Sequence, residues 1–130
     1  MHTTLLPEGW PRPSGYANGI LARGDALIFT GGQIGWTPEG KFEALDFVGQ
    51  FRQALLNIRD VLASAGAGPQ HMTRMTWFIT DKPAYQRQLR DIGSAYRDIM
   101  GRNFPAMCVL VVSELVEDAA LVEIEVTAVL

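Results

Sequence analysis

Residues 104–130 read FPAMCVLVVSELVEDAALVEIEVTAVL, and the division of this stretch decides the fold. Met107 to Ser113 is a run rich in Val, while Leu121 to Leu130 alternates apolar residues with Glu123, Glu125 and Thr127. β-Branched residues at a period of two mark strands, so the stretch predicts two strands separated by a polar connection. In the second, Val122, Ile124, Val126 and Ala128 share one face and leave both glutamates on the other.

Upstream, the period changes. After Asp46, apolar residues at Phe47, Phe51, Ala54, Leu55, Ile58, Leu62 and Ala65 trace one face of a helix, with Asp46 as its N-cap and the GAGP from Gly66 as its stop. HMTRMTWFIT (71–80) then predicts a strand with Met75, Trp77 and Ile79 on one side. Pro83 suits the first turn of a second helix carrying Tyr85, Leu89, Ile92, Tyr96 and Ile99, and Gly101 closes it. GILARGDALIFTGGQIG (19–35) reads as a β-hairpin turning at Arg23-Gly24-Asp25 and ending in a bend at Gly31-Gly32, where a backbone can lie close to a ligand. Before it, Pro7, Pro11 and Pro13 remove backbone donors and predict an extended arm or irregular edge.

The order β-β-α-β-α-β-β predicts one two-layer α+β domain over residues 1–130, with two helices on one face of a mixed sheet of five or six strands. Val109 and Val111, with Trp77 and Ile79 on another strand, are read as giving the sheet apolar residues on both sides. A second apolar face needs a cover, so a homo-oligomer is expected.

With 48% hydrophobic and 19% charged residues, the chain fits a soluble globular class. No run approaches the roughly 20 apolar residues of a membrane span, and the N-terminus has no export-signal pattern, so a cytoplasmic protein is expected. A single cysteine, Cys108, excludes an internal disulfide, and His2 and His71 lack ligand-spaced companions; neither a metal nor another cofactor is expected. A net charge of −3 without a basic stripe disfavours nucleic acid and leaves a small-molecule metabolite as the expected partner.

The element order, together with GYANGI, FTGGQIG, VLASAGAG, FPAM and LVEIEV, resembles the YjgF family, also called RidA or L-PSP, from Tyr16 to the end of the chain. The resemblance implies a chorismate-mutase-like subunit in a homotrimer around a central β-barrel, with three clefts between neighbouring subunits. It further implies cofactor-free hydrolysis of amino-acid-derived enamines and imines. In the founding branch an arginine follows the Pro-Ala of the penultimate strand and clamps the substrate carboxylate; here that position is Met107. The family's Ser-Gly-Gln becomes Gly31-Gly32-Gln33, and an asparagine of its second helix falls at Gly93. The pocket so implied is wider and less polar.

The resemblance assigns Glu123 as acid/base, and Tyr16, Gly31, Gly32, Met107 and Cys108 to substrate binding, the glycines and Cys108 through backbone groups. Each has a plainer reading. Glu123 fits an exposed or salt-bridged strand carboxylate, Met107 core filler, Cys108 a buried small hydrophobe, and Tyr16 a packing residue. Glu125 is given no role, and His71 reads as a surface residue. Arg12, Arg74 and Arg102 are candidates for a replacement anchor, though surface solvation is the expectation for each. Two functions therefore compete, an imine or enamine hydrolase and a non-catalytic binder of an apolar or aromatic metabolite. The acidic charge makes the family's older ribonuclease and translation-inhibitor label the least attractive.

Overall fold

The structure is a computed structural model describing residues 2–130. Its strands are β1 (Thr3–Leu5), β2 (Gly19–Leu21), β3 (Leu27–Phe29), β4 (Gln33–Ile34), β5 (Met72–Ile79), β6 (Ala106–Val111) and β7 (Val122–Val129). Its helices are α1 (Phe47–Ser64), α2 (Lys82–Arg87) and α3 (Leu89–Met100). β1 and β2 form an antiparallel ribbon, and the main sheet runs β3-β7-β5-β6 with β4 also pairing β7. The two C-terminal strands are thus not neighbours: β5 lies between them, parallel to β6 and antiparallel to β7. The α+β class and the mixed sheet agree with the sequence reading.

Helix α1 starts where its cap requires, with the Asp46 carboxylate accepting from the Gly49 N–H at 3.1 Å. Phe51, Ala54, Leu55, Ile58 and Leu62 are fully buried against the sheet. Removing Phe51, Leu55, Ile58 and Leu62 from water contributes about 1.5–3 kcal/mol each. The same core takes in Ile92, Tyr96 and Ile99 of α3 and Met75, Trp77 and Ile79 of β5.

Three expectations are corrected. The second helix is two: Gln88 leaves the helical path, with its N–H bonded to the Tyr85 carbonyl and its side-chain amide to Ala84. The hairpin is absent, because β2 pairs with β1 and β3 with β7. Arg23-Gly24-Asp25 instead carries the chain past the last residue, where Asp25 and Ala26 both donate to the Leu130 carbonyl at 2.9 Å. A Cβ on Gly24 would lie 2.7 Å from Val129 Cγ1 and 2.9 Å from the Leu130 oxygen, so only glycine permits the crossing.

The third correction concerns the faces of the sheet. Parallel register sets Trp77 beside Val109 and Ile79 beside Val111, so all four lie on the helix-covered face and none marks a second apolar face. The outer face carries Thr76 and Phe78 of β5, Cys108 and Leu110 of β6, Glu123, Glu125 and Thr127 of β7, and Leu27 and Phe29 of β3. Leu27 is 65% exposed, Phe29 69% and Leu110 47%. An exposed apolar patch does exist, on other residues than the sequence suggested. No helix among the described residues is long and apolar enough to cross a membrane.

Candidate functional site

A cleft of about 1130 Å³ opens on the helix side of β6, between the N-terminal arm and α2–α3. The arm is tied down where Ala17 donates to the Pro105 carbonyl at 3.0 Å and bridges Ala106, which sets Tyr16 beside the start of β6. Tyr16 and Met107 both line the cleft. Met107 is half-buried against the core, so the pocket-lining and core-filler readings describe the same side chain.

The floor is aromatic. Phe104 stacks on Tyr96 with ring centres 5.4 Å apart, and Tyr96 in turn lies 6.1 Å from Trp77. The Tyr96 hydroxyl donates to the Asn103 carbonyl, and burial pushes its pKa well above the ordinary value of 10.0. It is therefore a fixed neutral phenol. Burial also raises Tyr85. The Trp77 Nε1–H is buried without a hydrogen-bond partner among the described residues.

Arg12, Arg97 and Arg102 also line the cleft; all three are exposed, as expected for Arg12 and Arg102, and Arg97 is one the sequence reading missed. Its signal was the spacing to Gly93, one turn earlier on the same helix face. A Cβ on Gly93 would lie 3.2 Å from Arg97 Nη1, so the missing side chain leaves room for the guanidinium. Arg74 is exposed on the outer face in register with Thr127 and Ala106, away from the cleft.

Glu123, Gly31 and Gly32 are gathered elsewhere. The bend at 31–32 is held by Thr30, whose N–H donates to the Val126 carbonyl and whose hydroxyl accepts from the Val126 N–H, both at 2.9 Å. On its far side Asn57 of α1 donates to the carbonyls of Ile34 and Trp36 at 3.2 and 2.8 Å. Gly35 lies flat on that helix, where a Cβ would come 2.6 Å from Gln50 Cα. So fixed, Gly32 faces Glu123: a Cβ there would sit 2.7 Å from Cδ of the glutamate and run into its carboxylate. A methyl on Gly31 would meet nothing within 4 Å, and one chain gives no reason for glycine there.

Glu123 is half-buried and makes no ion pair; among the described residues the single ion pair is Arg52–Asp98. This removes the salt-bridged reading within one chain. Cys108 is exposed on the outer face, not buried as its plainer reading held, and it stands on β6, two strands from β7. His71 is half-buried, and its Nδ1 accepts from the Gly68 N–H at 2.9 Å to close a short turn over Pro69–His71. No group of three or more His, Cys, Asp or Glu among the described residues is placed to hold a metal ion.

The residues named from the sequence thus fall into two groups on opposite sides of the sheet. The cleft with Tyr16 and Met107 is lined by no Asp, Glu, His or Cys among the described residues. The glutamate with its two glycines does not line that cleft.

The family model described as Endoribonuclease L-PSP matches residues 12–130. A RutC family protein of Pyrococcus horikoshii is 30% identical over 129 residues, covering 98% of each chain. A RutC family protein of Haemophilus influenzae is 30% identical over 103 residues, covering 79% of this chain and 78% of its own. Among solved structures, the Rid family protein YyfB of Yersinia pestis, of unknown function, superposes with a TM-score of 0.86 at 27% identity, over 99% of this chain and 98% of its own. E. coli TdcF, solved with bound serine, does so with a TM-score of 0.69 at 27% identity, over 98% of both chains.

Proposed function

The chain belongs to the endoribonuclease L-PSP family, the YjgF/RidA proteins, and from that premise we propose a cofactor-free hydrolase-type protein that adds water to a C=N bond of a small metabolite. The carrying observation is the separation of two groups of residues: a cavity lined by no carboxylate, imidazole or thiol among the described residues, and a carboxylate, Glu123, outside it. A homotrimer around a central barrel would join the cleft of one subunit to the Glu123 of its neighbour. The exposed Leu27, Phe29 and Leu110 lie on the sheet face that such a barrel buries. The related TdcF holds serine, which supports a metabolite of amino-acid size and chemistry.

In this reading Glu123 takes a proton from water as the oxygen bonds to the C=N carbon and returns it to nitrogen, giving a carbinolamine; the remaining hydroxyl proton then passes through Glu123 to nitrogen, the C–N bond breaks, and ammonia leaves as the carbonyl forms. Backbone groups of Gly31, Gly32 and Cys108 orient the reacting atoms. Met107, where the family resemblance puts the carboxylate-clamping arginine, supports a branch without that anchor and with a more apolar floor.

Glu123→Gln keeps shape and removes the proton acceptor. Ammonia release from freshly generated imines should fall by at least about 100-fold, the lower end for a general base, with sedimentation unchanged. Because the cleft is lined by no Asp, Glu, His or Cys among the described residues, unchanged turnover would remove Glu123 from the mechanism and favour the rival function, a non-catalytic binder of an apolar or aromatic metabolite.

A further inference from the structure

Charge in the cleft runs against the charge of the chain. Acids outnumber bases by 14 to 11 overall, yet the lining has three arginines and no carboxylate. None of the three joins the one ion pair present among the described residues. They come from separate elements: Arg12 from the proline-bounded arm, Arg97 from α3, and Arg102 from the turn after Gly101, whose φ of +66° ends the helix. At Gly93 the helix has no side chain where the Arg97 guanidinium lies. Uncompensated guanidiniums lining one cavity attract an anion.

The floor has a different chemistry. Trp77, Tyr96, Phe104, Met107 and Val109 present apolar and aromatic surface, and the only unpaired polar atom recorded among the buried described side chains is the Trp77 Nε1–H. With Met107 on the strand, no cation stands on the floor. We propose that the cleft takes a ligand whose anionic group is distal, held by Arg97 and Arg102 with Arg12 above them, and joined to the rest by an apolar body of aromatic-ring size. The body covers the aromatic floor. This rests on the proposed function for which site is used, but not for the reaction.

The probe is 3-phenylpropionate, which has no C=N bond, compared with 3-phenylpropanamide and with propionate by titration calorimetry in low salt. The aromatic acid should bind at least about ten-fold tighter than either, the lower bound for a charge-assisted contact. Arg97→Gln with Arg102→Gln should remove that preference and leave amide binding unaltered; both side chains are exposed, so the thermal midpoint should hold. Equal affinity for acid and amide, an unweakened acid in the double variant, or no saturable binding of any probe overturns the proposal. Acid-selective binding without ammonia release from any imine would refute the reaction and leave this inference standing; ammonia release with no acid preference would do the reverse.

Discussion

Gly32→Ala is the sharpest test of how Glu123 is positioned. The added methyl would lie 2.7 Å from Cδ and 3.0 Å from Cγ of Glu123, where carbon contacts settle at about 3.5–4.0 Å. The carboxylate must therefore retreat by roughly 1 Å, and displacement on that scale at a reacting group is worth about 100-fold in rate. The clash is with the end of a flexible side chain and spares the backbone. An off-rotamer adjustment is worth about 0.5–1.5 kcal/mol, which should move the thermal midpoint by only a few degrees in a domain of this size. The assay is ammonia release with thermal melting, on Gly32→Ala, Glu123→Gln and the double variant. If the glycine acts only through the glutamate, the double variant is no slower than Glu123→Gln alone. Full activity in Gly32→Ala, or additive losses in the double variant, would refute the reasoning.

Two further outcomes follow from burial. Phe29→Lys should lower the assembly state seen by sedimentation while leaving the subunit folded, because Phe29 is 69% exposed on a single chain; an unaltered assembly would place the interface elsewhere. Tyr96 has its pKa raised by burial, so above about pH 10 the unfolded chain loses its phenolic proton first and stability declines as pH rises further. Tyr96→Phe should flatten that alkaline decline in denaturant titrations, while losing about 1 kcal/mol at neutral pH with the bond to Asn103.

The helices were legible because their signals are local. Asp46, Gly66 and Gly101 mark ends, and the spacing from Phe47 to Leu62 marks a face. The break at Gln88 was hidden, since glutamine is a good helix former and its deviation shows only in a bond to Tyr85. Arg23-Gly24-Asp25 announces a turn but not its destination, and the residue it meets, Leu130, is at the other end of the sequence. The face of Val109 and Val111 was misjudged for a related reason: alternation fixes each strand internally, whereas the phase between β5 and β6 is set by parallel register. Tyr16 and Met107 could be named as site residues only through the family resemblance. The cleft arginines required the arm, α3 and the following turn to be brought together.

Glu123 and Met107 stand on opposite faces of one sheet, separated by β5. In genetic terms, if the proposed sharing of clefts between neighbours holds, variants at the two positions would complement each other within one gene. A chain disabled at Glu123 can still offer its cleft, and a chain disabled in the cleft can still lend its glutamate. Co-expressed in equal amounts, two such inactive alleles would restore about a quarter of the clefts by random mixing. Mixed in equal amounts with normal chains, a chain disabled in one half would remove one cleft per copy and leave about half of them, so such a variant would act in proportion to its dose.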